Sequence, residues 1–218
     1  SSIAVRTYSE ELLRVLRPHM TPEQLRELRE LGVCDLHIGV ESGSDPILLW
    51  MNKGVTSFDM LKAFKMLDEA GIGYYVTIIL GLGGKNYRNL HAIETARLLN
   101  RIHPRCIWAL KLKVWEGTPL EKMIERGEFV PLDKEEILFE ERLLLQNLHV
   151  EDCFFMDTTV LDRLTVQGWL PEGKDQMLSI IERLLALHFN PDGSRKKPDE
   201  QGQVSFKFLS PIGPSVNQ

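Results

Sequence analysis

The sequence repeats one arrangement: an apolar run of strand length, a turn containing glycine, then an amphipathic helix. Tyr74–Leu80 is the sharpest case, an aromatic and β-branched run that ends at Gly81-Leu82-Gly83-Gly84. A strand that is apolar at nearly every position must be covered on both faces, as strands of parallel sheets are. Cys34–Val40, ending at Glu41-Ser42-Gly43, repeats the arrangement, as does Cys106–Val114 before Glu116-Gly117-Thr118-Pro119-Leu120.

Helical segments fall between these runs. Ile3–Val5 reads as the end of a strand, and Ser9–Leu16 as a helix capped by Ser9. Thr21-Pro22-Glu23-Gln24 is a strong helix start, with a capping Thr, Pro in the first turn and Gln three positions after the cap. Asp45–Met51 predicts a short helix, and Thr56–Ala70 a longer one with Phe58, Leu61, Phe64 and Leu67 on its buried face. Tyr87–Ile102 predicts a helix with Leu90, Ile93, Ala96 (or the stem of Arg97) and Leu99–Asn100 placing apolar groups on one side. Helices are expected at Leu120–Arg126, Lys134–Asn147 and Lys174–Leu187, with a last short strand at Phe154–Phe155.

Strands alternating with helices give a parallel sheet with right-handed crossovers. The expected class is α/β: a partial (β/α) TIM-like barrel of parallel strands, plus C-terminal helices. About three or four strands are visible, too few to close an eight-stranded barrel. The expected organisation is a partial barrel over 1–130, a helical extension over 131–190 and a disordered tail over 191–218, with Val204–Leu209 as an ordered patch.

A net charge of −5 argues against nucleic-acid binding driven by overall charge. No apolar run approaches the roughly 20 residues of a membrane span, and Ser1-Ser2-Ile3 has no leader-like pattern. The expected location is cytoplasmic. Without an initiator Met, the chain reads as a processed product or a partial reading frame. Cys34, Cys106 and Cys153 are far apart and lie among apolar residues, which suggests buried reduced thiols; a metal site assembled from distant positions has no local spacing behind it.

Ligands of parallel α/β sheets bind at the carboxyl ends of the strands, where the glycine turns fall. Glu41 closes an apolar strand, and a buried carboxylate needs a partner. A ligand amine or ribose hydroxyl could supply it, or else the amides of the following turn. His37, Gly39 and Glu41 alternate onto one face, so His37 is either a barrel-interior residue or a satisfied core histidine. Thr77 is placed to face the same interior. Lys111 and Lys113 share a face, which is either a polar cleft or an exposed edge. No nucleotide-binding glycine fingerprint or Walker pattern is present.

Four segments resemble the radical S-adenosylmethionine (SAM) superfamily. His37-Ile38-Gly39-Val40-Glu41-Ser42-Gly43-Ser44-Asp45, continuing to Met51-Asn52-Lys53-Gly54-Val55-Thr56, looks like that family's fourth-strand signature. Thr77–Gly84 looks like its fifth strand, and Gly117-Thr118-Pro119-Leu120 resembles the segment after its sixth. His91-Ala92-Ile93-Glu94-Thr95-Ala96 fits one bacterial branch of uncharacterised members.

The resemblance implies SAM lying across the strand ends, with Glu41, Ser42, Gly43, Thr77, Gly81 and Gly83 as its contacts. In the complete family member, SAM bound to a [4Fe–4S] cluster is cleaved to a 5′-deoxyadenosyl radical; the substrate is not legible. The C-x-x-x-C-x-x-C cluster motif does not occur in this sequence, Lys85 stands where many relatives carry an acid, and Gly83 replaces the usual Pro. This chain is therefore expected to be a fragment of a radical SAM iron–sulfur enzyme, inactive alone. The competing expectations are a non-catalytic half-barrel that pairs through an open sheet edge, and an unrelated aldolase-like barrel using Lys111 or Lys113.

Overall fold

The computed structural model describes residues 3–4, 20–161, 164–197 and 201. The predicted helix at Ser9–Leu16, the patch at Val204–Leu209 and most of the expected tail lie outside these residues.

The described chain forms a six-stranded sheet, with its strands side by side in sequence order. Strand β1 is Ile3–Ala4, β2 Asp35–Glu41, β3 Gly73–Leu80, β4 Cys106–Lys111, β5 Cys153–Leu161 and β6 Leu164–Leu170. Strands β2 to β5 are parallel, and β1 and β6 pair antiparallel at the flanks. The helices are α1 Pro22–Glu30, α2 Asp45–Trp50, α3 Ser57–Glu69, α4 Gly84–Leu99, α5 Pro119–Glu125, α6 Lys134–Asn147 and α7 Lys174–His188. This is the expected mixed α/β half-barrel.

One face of the sheet carries the core. Val76, Ile78, Leu80, Ile107, Ala109 and Phe155 are buried there, in one cluster with Phe64, Ala96, Leu99, Leu145 and Ile181 of the helices. Burying each large aliphatic side chain contributes about 1.5–3 kcal/mol before chain entropy is charged against it. The opposite face bears the alternate residues, such as His37, Gly39 and Glu41, and these stay half-buried. The strand therefore reads as near-continuous apolar sequence while only one of its faces is fully closed.

Several local expectations change. Phe58 is 73% exposed, because the buried face of α3 is set by Met60, Phe64 and Leu67, and Phe58 lies almost opposite Met60. Leu90 and Ile93 also lie outward, whereas the expected Ala96 and Leu99 are buried, together with His91, Ala92, Thr95 and Leu98. Beyond residue 130 the chain adds two strands to the same sheet, β5 and β6, where only Phe154–Phe155 and helices were expected. In β6, Val166 and Leu170 face in while Gln167 and Trp169 face out. Of the expected tail, residues 190–196 make a turn tied to α7 by a bridge between Phe189 and Arg195, and Arg195 pairs with Asp133 and Glu135. No helix among the described residues is long and apolar enough to cross a membrane.

Helix starts follow from side-chain chemistry. Thr21 accepts from the Gln24 amide while Gln24 returns a bond to the Thr21 amide, and Thr56 with Asp59 does the same. Thr56→Ala removes one such pair and is expected to cost about 1 kcal/mol. An unchanged urea midpoint would show that this cap contributes nothing.

Candidate functional site

The open sheet face carries a small polar group across the middle of β2, β3 and β4, with Glu41 at the carboxyl end of β2. His37 sits mid-strand in β2, and its Nε2 lies 2.5 Å from the Thr77 Oγ1 of β3. The indole of Trp108, on β4 beside Thr77, stacks on the His37 ring with centroids 5.8 Å apart and planes 27° apart. Gly39 lies opposite Thr77 in the register. A Cβ built on Gly39 would stand 2.9 Å from the Glu41 Oε1, so glycine keeps the space in which that carboxylate lies.

Glu41 ends β2 at an irregularity in the pairing and adopts φ +69°. A non-glycine residue there is strained by about 1–2 kcal/mol. Its carboxylate accepts a charge-assisted bond from Lys53 Nζ at 2.7 Å, in a partly buried pair. The partner the sequence demanded for Glu41 is thus supplied within the chain by a lysine, and not by turn amides.

The other predicted contacts divide sharply. Ser42 and Gly43 are buried, with the Ser42 Oγ accepting from the Ser44 amide at 3.1 Å and the Gly43 amide donating to the Thr95 Oγ1 at 3.0 Å. Gly81 and Gly83 are buried as well. The Gly81 amide donates to Glu140 Oε1 at 2.8 Å, and a Cβ on Gly83 would come within 2.8 Å of the Tyr87 carbonyl. Only Glu41 and Thr77 of the six present polar side-chain atoms toward the open face; the glycines shape the turns behind it. Sequence reasoning gave no role to Lys53, Trp108, His91 or Glu140, whose partners lie between 12 and 71 positions away.

The lysines of the aldolase alternative are not site groups here. Lys113 lies past the end of β4 with its Nζ 3.9 Å from the Trp115 ring centroid, a cation–π contact. Lys111 alternates with Ile107 and Ala109, on the side away from His37.

The thiols do not fit an iron–sulfur cluster. Cys34 is exposed rather than buried, just before β2, and receives a bond from Arg29. Burial pushes the Cys106 thiol up to about 11 and the Cys153 thiol up to about 12, whereas cluster ligation needs thiolates. No group of His, Cys, Asp and Glu side chains among the described residues has metal-binding geometry. The edge of β2 is paired at Ile38 and His37 by β1.

Comparison with known proteins agrees with this architecture. Residues 7–96 match the model of the radical SAM superfamily. An uncharacterized protein of Methanocaldococcus jannaschii is 31% identical over 103 residues, which is 47% of this chain and 31% of that protein. The tRNA-2-methylthio-N(6)-dimethylallyladenosine synthase of a Sulfurihydrogenibium species is 29% identical over 90 residues, 40% of this chain and 20% of the synthase. The solved structure of Methanocaldococcus infernus Elp3 with an N-terminal deletion superposes with a TM-score of 0.52 at 17% identity, over 75% of this chain and 39% of that one, and supports the fold alone. This chain spans less than half the length of each of these relatives. Sequence match over residues 7–96 and half-barrel architecture converge on the radical SAM superfamily as the family this chain resembles.

Proposed function

We propose that this chain supplies part of the SAM-binding face of a radical SAM enzyme. The observation that carries the reading is the open strand face, where Thr77 with His37 and Trp108 lie across neighbouring strands and the Glu41 carboxylate lies over Gly39. Glu41 offers a carboxylate to ribose hydroxyls or an ammonium, Thr77 and His37 offer a donor–acceptor pair, and Trp108 offers a ring face. Lys53 holds the Glu41 carboxylate in place through their ion pair. The buried turns at Ser42–Gly43 and Gly81–Gly83 fix the backbone around this face.

Bound to a reduced cluster, SAM supplies the radical that abstracts hydrogen from substrate. The cysteines of this chain do not make that cluster, so in this reading its [4Fe–4S] ligands come from outside these 218 residues. The part played here is to bind and orient the cofactor. The substrate is left open, and cytoplasmic location stays with the proposal.

Calorimetric titration of the protein with S-adenosylhomocysteine tests the reading without any turnover. Binding is expected, and Glu41→Ala is expected to weaken it about tenfold or more, the scale of a hydrogen bond to a charged group. No binding by the parent protein sinks the proposal. Unchanged affinity in the variant removes Glu41 from the site.

A further inference from the structure

The two glycine turns that border the open face are held from behind by the same helix. The Gly43 amide is buried and donates to the Thr95 Oγ1 of α4 at 3.0 Å. The Gly81 amide is also buried and donates to Glu140 Oε1 of α6 at 2.8 Å, and that same oxygen lies 2.9 Å from His91 Nδ1 of α4. A carboxylate oxygen accepts, so Nδ1 carries the hydrogen. His91 and Thr95 are four residues apart, hence neighbours on one face of the helix.

Both anchors are closed to solvent: Glu140 and Thr95 are 0% exposed and His91 is 1% exposed. Buried hydrogen bonds of this kind have no water to replace them when one partner is removed. The contact at Gly43 is also steric, since a Cβ there would fall 2.4 Å from the Glu94 carbonyl oxygen. Helix α4 is therefore pressed against one turn and tied to the other through a single carboxylate from α6.

We infer that α4 acts as a spacer that fixes the two turns relative to each other, with Thr95 positioning Gly43 and the His91–Glu140 pair positioning Gly81. These are positioning residues: none of them lies on the open face. Through Glu140, the placement of α6 is coupled to the strand-end turn of β3. The inference deepens the proposed SAM-binding role, and rests on it only where ligand affinity is the readout.

Native-state hydrogen exchange, resolved to single amides, tests the spacer directly. In Glu140→Ala the Gly81 amide is expected to exchange about tenfold faster or more, with Gly43 near its parent rate. Thr95→Val, close in shape but without the acceptor, should do the reverse. Glu140→Gln keeps an oxygen at the acceptor position and should restore most of the protection of Gly81. S-adenosylhomocysteine affinity should fall in the Ala and Val variants and recover in the Gln variant.

Unchanged exchange at Gly81 in Glu140→Ala overturns the inference, and so does equal acceleration across the whole molecule. Should Glu140→Ala not fold, Thr95→Val and Glu140→Gln decide the matter by the same local pattern. A parent protein that binds no S-adenosylhomocysteine removes the proposed function, while the exchange pattern still decides the spacer. Local acceleration with unchanged affinity overturns the positioning role.

Discussion

Replacing Glu141 by Leu is expected to make the protein more stable at neutral pH, by about 1–4 kcal/mol. Glu141 lies on α6 and is 0% exposed, and neither carboxylate oxygen has a hydrogen-bond partner among the described residues. Burial raises its pKa well above the ordinary 4.5, and the nearby carboxylates of Asp157 and Glu140 raise it further. Between the ordinary value and the raised one, the folded chain holds a proton that the unfolded chain has released. Folding stability therefore falls as pH rises through that window, and below it the penalty is absent.

The gain from Glu141→Leu should accordingly be largest near pH 7 and should narrow toward pH 4.5. Urea unfolding of both proteins at several pH values measures it. Glu141→Gln should show the same pH trend with a smaller gain, because a buried unpaired amide still costs about 1–3 kcal/mol. Destabilisation by Leu at neutral pH would refute the account, since it would mean that the carboxylate has a partner worth more than its burial costs.

Helix α4 shows why parts of the fold were legible in the sequence and others were not. Element positions could be read because the signals are local: the capping box at Thr21 and Gln24, Pro22 in a first turn, and the run at Tyr74–Leu80 each act within a few residues. The orientation of α4 could not. Apolar spacing puts Leu90 and Ile93 on one side with Ala96 and Leu99, yet only Ala96 and Leu99 are buried, beside His91, Ala92 and Thr95. Small residues are needed where Gly43 presses against the helix, and the polar ones bond there, Thr95 with the Gly43 amide and the His91 Nδ1 with Glu140. Such pairings join positions 49 and 52 residues apart, and no periodicity carries them.

The candidate site divides in the same way. Glu41 and Thr77 were legible as polar residues on one face of adjacent strands, by alternation alone. That Lys53 would neutralise Glu41, and that Thr77 would meet His37, depends on how α2 returns to the strand end and on the β2–β3 register. Strand β6 was overlooked although its alternation is regular. Its outward residues include Trp169, so hydrophobicity does not separate the two faces.

Gly43→Ala is expected to be the most damaging of the glycine substitutions in the two turns, costing about 3 kcal/mol or more. Two different physical reasons for glycine are separated by this comparison. At Gly81 the reason is conformational: φ is +84°, but an added Cβ would meet only ordinary contacts, 3.6 Å from Leu112 and 3.7 Å from Ile137. The expected cost there is about 1–2 kcal/mol for the left-handed backbone. At Gly43 the reason is space, because the Cβ would fall 2.4 Å from the Glu94 carbonyl oxygen and 2.7 Å from the Thr95 Cα. Both obstacles are helix backbone, which cannot swing aside as a side chain can. Relief requires moving α4 away from the turn, which also lengthens the Thr95 bond to Gly43 and strips two buried groups of their partners. Gly32→Ala is the control, with φ +94° and nothing within 4 Å of the new Cβ, so it carries backbone strain alone. Thermal or urea unfolding should rank Gly43→Ala well below Gly81→Ala, and Gly81→Ala close to Gly32→Ala. If Gly43→Ala were the mildest of the three, the close packing of the first turn on α4 would be wrong, and with it the steric half of the spacer.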